Sequence, residues 1–288
     1  MGDPADLAVV VVNHNAGPYL RRCMESLHAS AGDARVEVVV VDNASHDGSP
    51  EAAIRERPDM NLIRNRTNRG FAAAANQGIA ASSAPFVLLL NPDAEIVGGT
   101  LAALVKVARE RPGAGAVGAL VRNPNGSIQP SARRVPRLGE ALGHAFLGPL
   151  IPSNPFTRSY TMAGWDRSSE REVEWVSGSA MLLRREAIEQ VGAFDEGYFM
   201  YVEDVDLCTR LRRHGWKVVF SPELQVVHQI GVSTRGQRGR MAFAHSESIY
   251  RYFAKFRAGG ASAMLKPFVR VALLLRAMLM SVLPRRTL

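Results

Sequence analysis

Three carboxylates, Glu203, Asp204 and Asp206, fall almost side by side just after an aromatic approach made of Tyr198, Phe199 and Tyr201. An acid set against apolar ring surface loses hydration, its pKa rises, and it can accept a proton from a hydroxyl, which is the work of a general base. The same acids also suit the first turn of a helix whose last turn carries Arg210, Arg212 and Arg213, because the two signs of charge complement the helix dipole. Taken alone, the stretch supports both readings. Val205, Cys208 and Leu211 would form the inward face of that helix, and His214-Gly215 its end.

A second set of polar residues recurs where strands should end. Asn13-His14-Asn15 follows the apolar run 7–12, Asp42-Asn43-Ala44-Ser45 follows 36–41, and Asn91-Pro92-Asp93 follows 86–90. Each could be turn chemistry, which favours Asn, Asp and Ser. Three of them at one sheet edge indicate a site, because ligands of parallel sheets bind outside the carboxyl ends of the strands. Neither GxGxxG nor GxxxxGK[ST] occurs in a suitable place, which argues against a dehydrogenase or a P-loop enzyme. A nucleotide at this edge would be held by carboxylate and amide contacts to its base, with a metal for its phosphates. The run Asn68-Arg69-Gly70-Phe71 to Asn76-Gln77-Gly78 offers a loop and a helix start beside it, or simply an Asn-rich turn before an alanine-rich packing helix.

The elements that must position these residues are legible from periodicity. Strand-like runs at 7–12, 36–41, 61–64 and 86–90 alternate with helical stretches at 19–29, after Asp47 and from Gly70. Strands apolar on both faces and alternating with helices predict a parallel sheet covered on both sides. After a strand at 117–121 and the turn Asn123-Pro124-Asn125-Gly126, few regular elements are expected before Val173. In that region Arg133 is either an anion contact or a solvated arginine, and the Gly/Pro-rich stretch 147–155 suggests an ordered acceptor wall. Residues 175–183 read as one alternating strand. Two helices close the chain, at 242–256 and 264–283, the second with Lys266, Arg270 and Arg276 on one face. It would lie on anionic lipid, or dock on the body of the protein or on a dimer partner.

Composition bounds the rest. With 288 residues and 47% hydrophobic content the chain can bury a substantial core, and its net charge of +8 calls for an anionic partner. Nucleic acid fits poorly, since no aromatic-basic platform is evident and the acidic cluster would repel phosphates. Cys23 and Cys208 both fall in helical stretches, so neither a disulfide framework nor a cysteine metal site is expected. The polar start Met1-Gly2-Asp3-Pro4, the strand-sized first apolar run and the lack of a long uncharged one predict a cytoplasmic chain with no leader or membrane span.

The segments VVVVNHN, VVDNASHDGS, NRGFAAAANQG, LLLNPDA, WVSGSAMLLRR, FDEGYFMYVEDVDL and the later VVH together resemble family 2 glycosyltransferases over residues 7–233. GSIQPSARRVP and LGPLIPSNPFTRSY add similarity to the rhamnosyltransferase branch. The resemblance implies an α/β chain of GT-A fold, a Rossmann-like nucleotide half (1–122) fused to an acceptor half (123–240) around one mostly parallel central sheet, followed by C-terminal helices (241–288). It implies an inverting, metal-dependent transfer of L-rhamnose from dTDP-rhamnose to a lipid-diphosphate-linked N-acetylglucosamine in cell-wall linker synthesis, at the inner face of the plasma membrane. By carry-over, Asp42 holds the pyrimidine base with Asn13, Asn15 and Asn43 nearby, and Gly70, Asn76 and Asn91 complete the nucleotide side. Asp93 and His228 take Mg²⁺ or Mn²⁺, and Asp204 is the base. Glu203 orients the acceptor, with Trp175, Ser177, Gly178 and Arg133 beside it. One departure stands out: many members carry aspartate at both ends of the metal motif, where this chain has Asn91 and Asp93. Another donor sugar (galactofuranose, mannose or N-acetylglucosamine) and a sugar-nucleotide-binding module without turnover are the rival readings.

Overall fold

The computed structural model describes residues 4–136, 138–148, 151, 153–229 and 238–282. In chain order its elements are β1 (Leu7–Asn13), α1 (Pro18–Ala29), β2 (Val36–Asp42), α2 (Ser49–Glu56), β3 (Asn61–Arg64), α3 (Phe71–Ala80), β4 (Phe86–Leu90), β5 (Ala94–Gly99), α4 (Leu101–Glu110) and β6 (Ala114–Arg122). There follow β7 (Ala132–Arg133), α5 (Leu138–Leu147), α6 (Pro155–Thr161), β8 (Arg171–Val173), β9 (Trp175–Val176), β10 (Ala180–Arg184), α7 (Arg185–Val191), α8 (Glu203–Arg213), β11 (Lys217–His228), α9 (Arg238–Phe256) and α10 (Lys266–Val282).

The main sheet runs β3-β2-β1-β4-β10-β6-β11-β5, with β8 added against β11. Its first half is parallel throughout, β1 lying between β2 and β4 and β2 beside β3. β10 enters antiparallel to both β4 and β6 and forms the seam between the halves. Beyond it β11 is parallel to β6 and antiparallel to β5.

Side chains on a strand alternate between faces, so a strand apolar at every position feeds two cores. Val9, Val11, Leu88 and Leu90 pack under Leu20, Met24 and Leu27 of α1 and Leu101 and Leu104 of α4. Ala8, Val10, Val39 and Leu89 face Ala72 and Ala75 of α3 and Leu207, Cys208 and Leu211 of α8. The expected inward face of α8 needs one change: Leu207 is fully buried, while Val205 is half-buried and borders the cleft described below.

Three further expectations are corrected. The strand expected at 175–183 is broken into β9 and β10 by a turn at 177–179. The region before Val173 is more regular than its composition suggests, holding α5 and α6, although part of the stretch 147–155 lies outside the described residues. In α10 the basic residues do not share one outer face: Arg270 is exposed, but Lys266 is half-buried and Arg276 turns inward. Arg276 is half-buried and donates to the Ala145 carbonyl, Arg270 lies over the Tyr250 ring, and Leu273 and Ala277 pack inward. The exposed side is apolar instead, with Phe268, Val271, Leu275, Met278 and Leu279 at helical spacing. Leu283 and the stretch 230–237 lie outside the described residues.

Candidate active site

The carboxyl ends of β1, β2 and β4 meet one cleft of about 370 Å³. At its donor edge the loops after β1 and β2 are cross-tied. Asn13 is fully buried, and its amide nitrogen, with two hydrogens to donate, lies 2.9 to 3.0 Å from three acceptors, Asp42 Oδ1, Ser45 Oγ and Ser49 Oγ. The Asn15 N–H donates to Ser45 Oγ, and Asn15 Oδ1 accepts the His46 N–H. Asp42, at 3% exposure, also accepts the Ser45 N–H on Oδ2. Asn13 and Asn15 therefore shape the cradle that aims Asp42. Asn43 reaches the cleft wall and ties it to the next loop, donating to Asn68 Oδ1 and the Gly70 carbonyl. Gly70 sits at φ +84°, and a Cβ there would lie 2.4 Å from the Phe199 carbonyl, so only glycine lets this loop approach the 195–202 segment. Asn76 is not brought to the cleft: its amide is engaged by Phe194 backbone and Glu196, bracing α3 against that segment.

Asp93 and His228, far apart in sequence, converge because β5 and β11 pair antiparallel with Ala94 opposite His228. His228 Nε2 lies 3.2 Å from Asp93 Oδ1 and 3.0 Å from Asn91 Nδ2, and both side chains are largely buried. The tautomer follows from Gln129. Its amide nitrogen donates to the carbonyls of Arg122 and His228, so its oxygen faces His228 Nδ1 at 3.2 Å and can only accept. Nδ1 therefore carries the proton, Nε2 accepts from the Asn91 amide at 3.0 Å with Asp93 Oδ1 at 3.2 Å beside it, and the same Nε2 lone pair is the one a cation next to Asp93 would take. A histidine held by its other nitrogen beside an oxygen ligand is the usual form of a protein half-site for a divalent metal. No group of three or more His, Cys, Asp or Glu is gathered for a metal among the described residues, so the remaining ligands would have to come from donor phosphates and water.

The turn at 177–179 links this pair to the acids of α8. The Asn91 N–H donates to the Ser179 carbonyl at 3.0 Å, and the Gly178 N–H donates to Asp204 Oδ2 at 3.1 Å. Asp204 Oδ1 accepts the Val205 N–H at 2.8 Å. Burial pushes the Asp204 carboxyl up, against the pull of these two N–H donors and of Arg133. Glu203 is pushed well above the ordinary range, first by burial and then by the Asp204 charge, and its buried Oε2 has no hydrogen-bond partner among the described residues. Donors therefore converge on Asp204, while Glu203 is the member of the pair whose charged form burial and its neighbour oppose.

Asp206 faces the other way and lies outside the cleft. It is fully buried and accepts from Arg210 Nε at 2.6 Å, Lys255 Nζ at 2.7 Å and Tyr198 Oη at 3.1 Å. Lys255 also grips Asp195 at 2.8 Å, with Arg251 beside it. Burial alone would raise Asp195, but these two cations hold its carboxyl well below the usual carboxylate range. The segment they clamp enters α8 through Tyr201 and Val202, both at φ +70°, a left-handed backbone that is costly for a β-branched residue. Ser248 of α9 secures its approach by donating to the Met200 carbonyl at 2.9 Å. The C-terminal helices are thus part of what positions the acids.

The remaining wall is aromatic and basic. Trp175 and Tyr160 line it, with the Arg133 guanidinium over both rings, 5.1 and 5.0 Å from their centroids. Ser177, Gly178, Glu203 and Asp204 complete this side. Gln129, Lys255 and His245 also shape the site and carry no motif. Their partners are 99, 49 and, for the His245 ring against Tyr201, 44 positions away.

The sequence model of glycosyl transferase family 2 matches residues 8–192, and that of glycosyl transferase family group 2 matches residues 144–286. The N-acetylglucosaminyl-diphospho-decaprenol L-rhamnosyltransferase of Mycobacterium tuberculosis is 41% identical over 285 residues, covering 95% of this chain and 92% of its own. Among solved structures, a mannosyltransferase from Pyrobaculum calidifontis in complex with GDP-Man and Mn²⁺ superposes with a TM-score of 0.57 at 20% identity, covering 96% of this chain and 74% of that one. GalNAc-T7 with UDP, GalNAc and Mn²⁺ gives 0.61 at 15% identity, covering 95% and 55%.

Proposed function

The chain belongs to glycosyl transferase family 2, and from that premise we propose that it moves L-rhamnose from dTDP-rhamnose to an N-acetylglucosamine carried on a lipid diphosphate, with inversion. The observation that carries this reading is the turn at 177–179, which ties the Asp93–His228 pair and Asp204 into one cleft. The mycobacterial relative names the substrate class, and its similarity runs nearly the full length of both chains.

In this reading Asp42, aimed by Asn13, receives the pyrimidine base. Asp93 and His228 would hold a divalent metal, Mg²⁺ or Mn²⁺, which would supply positive charge to offset that of a departing nucleoside diphosphate. Two Mn²⁺-bound structures of the same fold support that assignment. Asp204 takes the proton from the attacking acceptor hydroxyl as the new glycosidic bond forms on the face opposite the departing diphosphate. Its raised pKa strengthens it as a base, and the Gly178 and Val205 N–H groups keep it ionised and aimed. Glu203, protonated and without an internal partner, donates to the acceptor sugar, while Trp175 offers that sugar a ring face. Asn91 in place of a second carboxylate lowers the negative charge beside the metal site, and its amide, which faces His228 Nε2 at 3.0 Å, would give up that lone pair to the metal.

No helix among the described residues is long and apolar enough to cross a membrane. The exposed apolar row on α10 supports peripheral attachment at the inner membrane face, where a lipid-borne acceptor would be met. The test is product formation: dTDP-rhamnose, a short-chain lipid-diphospho-N-acetylglucosamine and Mn²⁺ or Mg²⁺ should yield a rhamnosylated lipid. Turnover with GDP-mannose or UDP-galactofuranose and none with dTDP-rhamnose would overturn the donor assignment.

A further inference from the structure

Basic groups from four separate elements gather at one end of the cleft, Arg133 of β7 and His245 of α9 lining it, His144 of α5 and Arg276 of α10 standing behind them. Arg133 lies flat over Tyr160 and Trp175 with Nε bonded to the Pro130 carbonyl, and no hydrogen bond or ion pair engages its terminal nitrogens among the described residues. Arg276 reaches in from α10, its Nε donating to the Ala145 carbonyl at 3.1 Å and its Nη1 to Ser246 Oγ at 3.5 Å. No carboxylate stands within ion-pair distance of either arginine among the described residues. His245 borders the cleft against the Tyr201 ring, 5.2 Å away, and His144 lies 4.6 Å from the Tyr160 ring with Nδ1 on Thr157 Oγ1.

The histidines do not supply the charge. Burial, followed by Arg133 and Arg276, pushes His144 down to about 4, and burial, followed by Arg276, His144 and Arg133, pushes His245 down to about 3. Both rings are neutral at neutral pH, and the uncompensated charge belongs to the two arginines. Half-buried guanidinium groups kept without a counter-ion are costly unless an anion arrives to pair with them.

Location narrows the anion. Arg133 stands on the aromatic wall with Tyr160 and Trp175, which lines the cleft beside Ser177, Gly178 and Asp204, whereas Asp93 and His228 are tied to the other side of the turn at 177–179. An apolar margin adjoins the cluster: Phe146 and Leu147 follow the Ala145 that Arg276 contacts, and Leu275 and Leu279 flank Arg276 on α10, all of them exposed. An anionic head beside exposed aliphatic surface describes an amphiphile. Resting on the lipid-diphosphate acceptor of the proposed function, we propose that Arg133 and Arg276 form a subsite for the acceptor's diphosphate and send its lipid chain out along Phe146 and Leu275. Arg276 thereby brings α10 into the acceptor site.

The experiment measures binding of farnesyl diphosphate in EDTA, so that metal-dependent contacts to a diphosphate are absent. Arg133→Gln and Arg276→Gln should each weaken it at least tenfold, Arg276→Lys less, and dTDP binding with Mn²⁺ should stay at the wild-type level in all three. Arg133→Gln keeps the test open should Arg276→Gln fail to fold. Unchanged farnesyl diphosphate binding in both glutamine variants overturns the subsite, and an equal loss of dTDP with Mn²⁺ reassigns the arginines to the donor. A wild type that binds farnesyl diphosphate through these arginines but makes no product from dTDP-rhamnose sinks the proposed function and leaves the subsite standing. Product formation with an unaltered acceptor KM in both glutamine variants sinks the subsite alone.

Discussion

Lys255 Nζ lies 2.7 Å from Asp206 Oδ2, joining a helix near the end of the chain to the helix that carries the candidate base. With Arg210 and Tyr198 as its other partners and no exposure, Asp206 is a structural anion, although it stands two positions from Asp204. Asp206→Asn leaves Lys255 and Arg210 without their buried counter-charge and should cost about 3 kcal/mol, read as a lower melting temperature. Asp204→Asn should melt near wild type, lose about a hundred- to ten-thousand-fold in kcat, and keep its donor affinity. Near-normal turnover in Asp204→Asn, with loss in a folded Asp206→Asn, would move the base to Asp206.

Gln129 should matter through His228. Gln129→Met removes the acceptor that holds the proton on Nδ1, so nucleoside diphosphate binding with Mn²⁺ should weaken about ten- to a hundredfold. Binding in EDTA should not change. Asp93→Ala and His228→Ala should show the same metal-dependent loss, and normal binding with metal in both would show the site to be misassigned.

Glu203 makes a pH-dependent stability prediction. Its folded pKa is raised, so the stability it contributes is full below the unfolded value of about 4.3 and is lost as pH rises through the folded pKa. Glu203→Gln removes that loss. Its melting temperature should match wild type at low pH and exceed it progressively as the pH rises to neutral, while acceptor KM increases. A difference independent of pH would place the proton elsewhere in the pair.

The apolar row on α10 predicts vesicle binding. Phe268 and Leu275 are 73% and 59% exposed, and burying each in the lipid interface contributes about 1.5 to 3 kcal/mol. Phe268→Ser with Leu275→Ser should reduce co-sedimentation with phosphatidylglycerol vesicles at least tenfold while dTDP binding is retained. Undiminished sedimentation would assign the row to a protein partner.

The sequence reveals what local pattern controls. Strands β1, β2 and β4 are apolar on both faces, so their polar ends stand out, and Asp42, Asn43, Asn91 and Asp93 could be placed at one edge before any coordinates. The acids of α8 are visible for the same reason, but their division of labour is not. Whether Asp204 or Asp206 faces the cleft depends on Lys255 and Arg210 and on the left-handed entry through Tyr201 and Val202. Asn76 shows the opposite limit, since its motif is conspicuous while its amide is taken up by the Phe194 backbone. Arg276 reads as one more charge on an amphipathic helix until the packing of α10 on α9 turns it inward. Interactions between residues this distant leave no periodic signature.

The turn at 177–179 has a consequence for the size of the sugar that can be transferred. Consecutive backbone groups, the Gly178 N–H and the Ser179 carbonyl, fix Asp204 on one side and Asn91, with its neighbour Asp93, on the other. Adjacent Cα atoms are about 3.8 Å apart, so the two anchor points on the turn keep a short spacing, and a displacement of the turn would move both together. On the proposed reading, a bulkier hexose would find its room along the wall of Trp175 and Tyr160 rather than between the two anchors.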